Sequence, residues 1–379
     1  MIRYNFILKN HLLIILAVTI FVLLFTGQIE YQLPQYKASD LTKYIAMAKS
    51  SPELNTNIIK PFVYRILAPW IVGLMPFSIQ TNFLLLNIVS LILLSFVFYF
   101  ALLEFKLLPN VALALTIAFQ MNRYFFQFLS WNYFQLCDTI ALTVLFLSFI
   151  LIKRKKWSAL FLILPVSILV KEYALIILPM GLYYFLIHKK SKKDFLLFAI
   201  VSFFTVAVYG SVRMVLNVNQ GADLLTQYTT KEFYYPRIML FLKKYVASFI
   251  PFGLLPIVFW KELISFFKKN GFLFVYTITV IVISYFGEAE RMMAPLAIVY
   301  FMFVGNLIEK NFDIKDRFQE NRIFFTIIII SFLSSFYHLW GIVQFPNKYW
   351  SIASTILFSI IIAILFYKKK IKNLAINQN

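Results

Sequence analysis

Long apolar runs, separated by short polar or charged segments, recur along the whole chain. The runs are about 17 to 25 residues long, which is enough for a helix to cross roughly 30 Å of hydrocarbon. Their positions are apolar without interruption, whereas the strands of a membrane barrel would alternate between apolar and polar positions. The sequence therefore predicts an all-α, polytopic transmembrane helix bundle.

About twelve membrane helices are predicted by these runs. The first is a retained signal-anchor helix, since no small-residue cleavage site follows it. No Gly- or Ser-rich linker and no repeat of fixed period divides the chain, so residues 1–379 are predicted to form a single integral membrane domain. The predicted helices cover approximately residues 11–27, 80–103, 109–128, 134–152, 157–170, 173–187, 195–217, 245–264, 271–286, 292–308, 323–342 and 350–367.

The stretch 157–187 is largely apolar but has Lys171 and Glu172 near its centre. A single span would put both charges in the middle of the membrane, which is costly. Basic clusters at 153–156 and 189–193 lie on either side, so both ends are predicted to be cytoplasmic. The pattern therefore favours two short helices joined by a tight turn on the outer side.

Two outer loops are predicted, the first at 28–79 and the second at 218–244. The first loop contains an amphipathic helix at 40–49, whose apolar residues recur on one face and suit a helix lying on the membrane surface. The segment 61–76 begins and ends with proline and is too short for a comfortable span. It is predicted to be a second interfacial helix.

Composition and charge support the membrane class. Hydrophobic residues make up 61% of the chain and charged residues only 14%, whereas a soluble domain has about 25% charged residues. The net charge of +20 does not indicate nucleic acid, because Lys and Arg gather in short clusters between the apolar runs. Such clusters mark cytoplasmic loops that contact anionic membrane lipids. The distribution predicts two cytoplasmic termini and a bacterial inner membrane location.

Several ionisable residues lie where membrane helices begin or end, on the predicted outer side. Ionisable groups at the border of the hydrocarbon are costly and usually face a water- or substrate-filled cavity. Their convergence on one side predicts an active site on the outer face. The candidates are Asp40, Arg65, Asp138, Lys171, Glu172, Glu290 and Arg291.

The candidate carboxylates each have two interpretations. Asp40 could take a proton from an acceptor hydroxyl or help hold a divalent cation; alternatively, it is a helix N-terminal charge favoured by the macrodipole. Asp138 is about one turn into an apolar helix and has no Lys or Arg within one turn. Its partner must come from another segment, as a ligand contact or as a structural ion pair.

The candidate cations suit a phosphate group. Arg65 could bind phosphate bidentately or extend toward lipid headgroups. Lys171 could bind phosphate while Glu172 orients it, or the two could form a neutralised loop pair. Arg291 is unfavourable for the helix dipole at its position, which indicates a ligand role. Arg123 and Arg213 are weaker candidates, because the aromatic residues around them suit interfacial anchoring.

The chain resembles the GT-C superfamily of membrane glycosyltransferases. The resemblance rests on Asp40 in the first outer loop, the two interfacial helices, the segment PFVYRILAP (61–69), the outer-end Asp138, the Lys171-Glu172 turn and the late segment ERMMAP (290–295). It covers most of the chain by topology. It implies transfer of a sugar from a polyprenyl-phosphate donor to a glycan, lipid or protein acceptor, with Asp40 as general base.

One departure concerns the first loop, in which that family often has two neighbouring acidic residues. Here the nearest acidic residues to Asp40 are Glu30 and Glu53, so the sequence leaves open whether a divalent cation takes part. A polysaccharide polymerase, a flippase or a transporter of lipid-linked saccharides is the alternative function. Transporters tend to have charges at the midplane and inverted repeats, neither of which this sequence contains.

Overall fold

The computed structural model of the protein is helical, with no strand among the residues that it describes. Those residues are 2–30, 32, 40–187, 191–216, 235–286, 289–312, 317–339 and 348–376. The helices, numbered in chain order, are α1 (Ile2–Phe25), α2 (Asp40–Ser50), α3 (Leu67–Leu74), α4 (Ile79–Glu104), α5 (Pro109–Gln120), α6 (Phe126–Trp131), α7 (Leu136–Lys153), α8 (Trp157–Ser167), α9 (Ile177–Ile187), α10 (Lys192–Val215), α11 (Tyr235–Ser248), α12 (Leu255–Val258), α13 (Trp260–Lys269), α14 (Gly271–Phe286), α15 (Ala289–Met292), α16 (Ala297–Asn311), α17 (Arg317–Leu339) and α18 (Lys348–Ile376). Short 3₁₀ turns lie at Phe62–Tyr64, Tyr133–Gln135, Glu172–Ile176 and Ala294–Leu296.

Within the described ranges, four segments are long and apolar enough to cross a membrane: Ile7–Phe25, Ile79–Glu104, Tyr133–Lys153 and Lys192–Val215. Helices α13 and α14 would together supply a fifth, but they are bent by 116° at their junction. Other apolar helices, such as α5 and α8, are shorter. The fold is compatible with a multi-pass membrane protein, and the figure of about twelve membrane helices stays a prediction.

Stacked phenylalanines form the centre of the bundle. The ring of Phe98 on α4 stacks on Phe119 of α5 at a centroid distance of 4.3 Å. The same ring contacts Phe146 of α7 at 5.5 Å and Phe301 of α16 at 5.6 Å. All four side chains are buried. Aromatic burial of this kind fixes the relative positions of four helices that are distant in sequence.

The predicted break in 157–187 is confirmed, because α8 ends at Ser167 and α9 begins at Ile177. The predicted helix at 109–128 is wrong at its end, since α5 stops at Gln120. Asn122 accounts for this early end: its Oδ1 accepts hydrogen bonds from the backbone N–H groups of Tyr124 and Phe125, both at 3.0 Å. A side-chain bond of this type competes with the helix.

The predicted single helix at 245–264 is also wrong. The structure has three helices there, because α11 ends at Ser248 and α12 and α13 follow separately. Pro251 and Pro256 cannot continue a regular helix. Gly253 allows the chain to fold back, since a Cβ atom there would lie 2.3 Å from the carbonyl oxygen of Val246. Sequence hydropathy does not detect such a turn, because its residues are still apolar.

Helices α2 and α3 form a compact cap over one end of the bundle. The predicted apolar face of α2 exists, but Leu41 and Tyr44 are fully buried by protein, so this face does not lie on lipid. The two helices approach closely at Gly73, where a Cβ atom would lie 2.1 Å from the carbonyl oxygen of Ala48. Residues 218–234 of the second predicted loop (218–244) lie outside the described residues, and the rest of it is helical, because α11 begins at Tyr235.

Candidate functional site

Seven ionisable side chains from six segments meet beneath this cap, and we call them the charged cluster. Four are cations and three are carboxylates, so the cluster has a formal charge of +1. It includes every predicted site residue whose side chain is described; the side chain of Glu290 is not. The members are Asp40 (α2), Arg65 (after the Phe62–Tyr64 turn), Asp138 (α7), Lys171 and Glu172 (between α8 and α9), Arg213 (α10) and Arg291 (α15).

Asp138 lies at the bottom of the charged cluster and is buried. Lys171 Nζ donates a hydrogen bond to Asp138 Oδ1, and Arg291 Nε lies 4.0 Å from Asp138 Oδ2. The cation that Asp138 lacks within one turn of its own helix therefore comes from the turn between α8 and α9. Both side chains of the Asp138–Lys171 pair are only 3% exposed, which makes the loss of either partner costly.

Glu172 has different partners from its neighbour Lys171. Arg65 Nε donates to Glu172 Oε2 at 3.4 Å, and Arg213 Nη2 donates to Glu172 Oε1 at 3.3 Å. The adjacent opposite charges are therefore each paired with a distant residue, and they do not form a neutralised loop pair. The turn therefore supplies Lys171 as the cation beside Asp138, and Glu172 as the carboxylate shared by Arg65 and Arg213.

Aromatic side chains surround the two arginines. Arg65 Nη1 donates a 3.1 Å hydrogen bond to Tyr44 Oη on α2. Arg213 lies 3.5 Å from the ring centroid of Tyr209 and 4.4 Å from that of Tyr64. A guanidinium stacked on aromatic faces is held in position. Burial works against the charge of Arg65, but the nearby Tyr44 and Glu172 outweigh it and raise the pKa of Arg65 further.

Asp40 and Arg291 form the outermost pair. Arg291 Nη1 donates a 3.0 Å hydrogen bond to Asp40 Oδ2. Burial raises the pKa of Asp40, but the positive charges of Arg291, Arg65 and Lys171, with Arg291 foremost, together outweigh it, so the pKa lies below the ordinary value of 3.8. Asp40 is therefore ionised at neutral pH. Arg291 is held in place by the next residue, because Ser284 Oγ donates a 2.8 Å hydrogen bond to the carbonyl oxygen of Met292.

Gln135 connects the outer pair to the inner one. In the amide orientation that satisfies both neighbours, its nitrogen donates to Asp138 Oδ2 and its oxygen accepts from Arg291 Nη1, each at 3.0 Å. The hydrogen bonds determine this orientation, since the oxygen and nitrogen ends of a side-chain amide have nearly the same shape. Arg291 is thus shared between Asp40 and the Gln135–Asp138 pair.

Exposure increases from the inner pair to the outer one. The side chains of Asp138 and Lys171 are 3% exposed, whereas those of Arg291 and Asp40 are 19% and 26% exposed. The cavity beside Asp138 and Arg291 has a volume of about 10 Å³, which is room for roughly one water molecule. A molecule that approaches from the more exposed side would therefore meet Asp40 and Arg291 before Asp138.

The carboxylates are not arranged as a cation site. Each of the three already faces at least one Lys or Arg at 4.0 Å or less. Within the described part of the chain, no group of three or more His, Cys, Asp or Glu side chains lies close enough to hold a metal ion. We therefore assign no metal ligand and derive no step through a divalent cation.

Sequence reasoning missed or underrated three residues of this site. Tyr44 belongs to the apolar face of the predicted helix at 40–49, and Gln135 gives no signal because a lone amide is common at a helix start. Arg213 was assigned to interfacial anchoring, although an arginine within the last turn of an apolar helix satisfies the same criterion as Asp138. Arg123, the other weak candidate, donates to Tyr124 Oη at 2.6 Å.

The chain matches no protein family model, no curated protein and no solved structure.

Proposed function

We propose that this protein is a membrane glycosyltransferase, which transfers a sugar from a polyprenyl-phosphate-linked donor to an acceptor hydroxyl. The observation that carries the proposal is the Asp40–Arg291 pair, a carboxylate and a guanidinium at the exposed edge of a buried charged cluster. A general base and a phosphate-binding cation are the two groups that such a transfer needs side by side. The outer face of the membrane is part of the proposal, because the basic clusters predict the other face to be cytoplasmic.

The reaction is a substitution at the anomeric carbon of the donor sugar. The acceptor oxygen forms the new glycosidic bond while the bond from the anomeric carbon to the phosphate oxygen breaks. The phosphate of the polyprenyl carrier leaves with the bonding electrons, and the acceptor proton moves to Asp40. A cation beside the leaving phosphate stabilises the negative charge that grows on it. No nucleotide is needed, which agrees with the lack of a nucleotide-binding motif in the sequence.

Arg291 connects donor binding to the basicity of Asp40. In the structure its guanidinium lowers the pKa of Asp40, which makes the carboxylate a weak base. A donor phosphate would draw Arg291 away from Asp40, and burial would then raise the pKa. The carboxylate would become a stronger base only when the donor is bound, which would limit proton uptake to the productive complex.

The inner members of the charged cluster have a positioning role in this proposal. Lys171 is paired with Asp138, and Arg65 and Arg213 are paired with Glu172. Their charges already have partners, so they hold Arg291 and α2 in place and add positive potential beneath the phosphate. This differs from direct phosphate binding by Lys171 and Arg65, which the sequence suggested.

An apolar cavity between the helices supports a donor with a lipid tail. It has a volume of about 220 Å³ and lies between α11, α13, α14 and α16. Its lining includes Leu296, five residues after Arg291, and Tyr300 on the following helix. Almost all of its surface is contributed by apolar side chains such as Phe274 and Ile278. A prenyl chain entering from the bilayer would find an apolar environment in this cavity.

The proposal is tested by mass spectrometry in a strain of the source organism that lacks this gene. We expect a surface glycan shorter by one sugar, together with accumulation of the polyprenyl-linked form of that sugar. Complementation with the wild type should reverse both changes, and complementation with Asp40→Asn should reverse neither. Glu53→Gln is the matched control, because Glu53 is an exposed carboxylate of the same loop, and it should complement fully.

A second assay separates an enzyme from a transporter. The purified protein is reconstituted into proteoliposomes with the accumulated lipid-linked sugar and the truncated glycan. A new glycosidic bond, detected as a mass increase of one sugar on the glycan, is the expected result. Movement of the lipid-linked sugar across the bilayer without a new bond would replace the proposal by a flippase, the alternative that the sequence leaves open.

A further inference from the structure

A second polar cavity lies at the opposite end of the bundle from the charged cluster. It has a volume of about 290 Å³ and is lined by Lys106, Lys153 and Lys269 together with aromatic side chains. Asp138 and Lys153 are both on α7, and a rise of 1.5 Å over their 15 positions separates the two sites by roughly 22 Å along the helix. We call this cavity the lysine cavity.

Three positive charges face the lysine cavity without a carboxylate among the described residues that line it. The nearby carboxylate of Glu104 is taken by Arg154, whose Nε donates to it at 2.7 Å. Lys153 Nζ donates to the carbonyl oxygen of Glu104 and lies 4.3 Å from the ring centroid of Phe105. Lys106 and Lys269 are exposed and Lys153 is half-buried, so an anion entering this space would be attracted by three positive charges.

The turn that ends α4 places Lys106 beside the lysine cavity. Its φ angle is +66°, in the left-handed region that commonly ends a helix. The N–H of Lys106 donates to the carbonyl oxygen of Leu103 at 2.8 Å, which closes this turn.

Helix α13 indicates that the lysine cavity is at the level of lipid headgroups. It is amphipathic: Trp260 and Ile264 are exposed apolar residues, while Lys268 and Lys269 occupy its last turn. The bend of 116° turns it away from the direction of α14. An amphipathic helix that meets a membrane helix at this angle lies along the membrane surface, with its lysines among the phosphates.

We infer that the lysine cavity binds the phosphate group of an anionic lipid. The three ammonium groups would bind the phosphate, and the aromatic walls, including Tyr184 and Phe272, would contact the apolar part of the molecule. Basic pockets between membrane helices on the cytoplasmic side are known to take anionic headgroups. The inference concerns a different end of the molecule from the proposed catalytic reaction and does not depend on it.

The test is native mass spectrometry of the purified full-length protein after incorporation into nanodiscs. One set of nanodiscs contains phosphatidylglycerol and another contains only phosphatidylethanolamine, whose headgroup has no net charge. We expect one retained phosphatidylglycerol for each wild-type chain and no comparable retention of phosphatidylethanolamine. Replacing each lysine should weaken retention about fivefold, so the triple variant Lys106→Gln/Lys153→Gln/Lys269→Gln should lose roughly 100-fold.

A matched triple variant controls for net charge. Lys156→Gln/Lys192→Gln/Lys268→Gln removes three exposed lysines that do not line the cavity, and its lipid retention should equal that of the wild type. Two single variants repeat the comparison on adjacent residues with minimal risk to folding. Lys269→Gln, at a lining residue, should weaken lipid retention, whereas Lys268→Gln should not. Equal retention in the two triple variants, or equal retention of both lipids, would overturn the inference.

Inorganic phosphate separates the two sources of the anion. Added in excess, it should compete weakly, because it makes no contact with the aromatic walls. Full displacement of the lipid by inorganic phosphate, with the same lysine dependence, would support the phosphate site but identify a soluble anion as its ligand. Lipid retention that changes neither with added phosphate nor with replacement of the three lysines would contradict the phosphate site. The lipid would then be held only by ordinary packing against apolar side chains.

Discussion

Arg291 donates a 3.0 Å hydrogen bond to Asp40 across a separation of 251 positions in the chain. This pair joins the first loop after α1 to the short helix that precedes α16. Its side chains are the most exposed of the ion pairs within the charged cluster. The functional predictions follow from this exposure and from the deeper burial of the other pairs.

Asp40→Asn should lower turnover by about 100-fold or more, because asparagine keeps the shape of the side chain but cannot accept the acceptor proton. Donor binding should be largely unchanged. The measurement is kcat for sugar transfer in proteoliposomes, with Glu53→Gln as the matched control. A purely structural charge at the start of α2 would behave differently: asparagine is also a good helix cap, so near-normal turnover would remove Asp40 from the reaction.

Arg291→Gln should move the acidic limb of the pH profile of kcat/KM to higher pH. The pKa of Asp40 is lowered mainly by Arg291 against the effect of burial. Without Arg291 the pKa rises, and Asp40 becomes protonated at a higher pH than in the wild type. Lys49→Gln, which removes an exposed cation from α2, should leave the limb in place. If the acidic limb of the kcat/KM profile does not shift in Arg291→Gln, a group other than Asp40 determines that limb.

The same pair contributes to stability in a pH-dependent way. Because the pKa of Asp40 is lower in the folded state, the contribution is present above the unfolded value of 3.8 and is lost as the pH falls through the folded pKa. The difference in Tm between wild type and Asp40→Asn should therefore shrink as the pH is lowered below about 4. A difference that stays constant over this range would contradict the ionised pair.

Lys171→Met should destabilise the protein by about 3 to 5 kcal/mol, because it leaves the carboxylate of Asp138 buried without its cation. The double variant Lys171→Met/Asp138→Leu should recover much of this loss, since the second change removes the stranded charge. Thermal unfolding in detergent measures both. If the double variant is no more stable than the single one, the two residues do not act as a pair.

Arg65→Gln should cost more stability than Arg213→Gln, although both contact Glu172. The side chain of Arg65 is 7% exposed and also donates to Tyr44, whereas that of Arg213 is 16% exposed. Loss of Arg65 therefore removes one hydrogen-bond partner from each of two buried groups, Tyr44 and Glu172, whereas loss of Arg213 affects Glu172 alone. Comparison of Tm values for the two variants checks the order, and the reverse order would show that Arg213 is the main partner of Glu172.

The membrane orientation is tested by cysteine labelling in a Cys137→Ala background. Glu53→Cys lies in the first loop, on the side of the charged cluster, and Ser191→Cys lies in the segment before α10; both positions are exposed. An impermeant thiol reagent should label position 53 and not position 191 in intact cells. Labelling of position 191 alone would reverse the orientation and put the charged cluster on the cytoplasmic side.

The amino-acid sequence determined the class of this protein and the composition of its candidate site. Uninterrupted apolar runs predict membrane helices, and an ionisable residue within or beside such a run has a high free-energy cost unless it is paired or functional. That argument alone selected Asp40, Arg65, Asp138, Lys171, Glu172 and Arg291, which do meet in the structure. It depends only on local composition, so it needs no knowledge of the fold.

Only the tertiary structure decided which charge meets which. Lys171 and Glu172 are neighbours in the chain, yet one contacts Asp138 and the other contacts Arg65 and Arg213. Pairing in a buried cluster depends on how the helices pack, because ion-pair energies change strongly with distance and burial. The turn at Gly253 depends partly on packing as well: Pro251 and Pro256 prevent a regular helix, but the close approach of the Gly253 backbone to Val246 exists only in the folded chain.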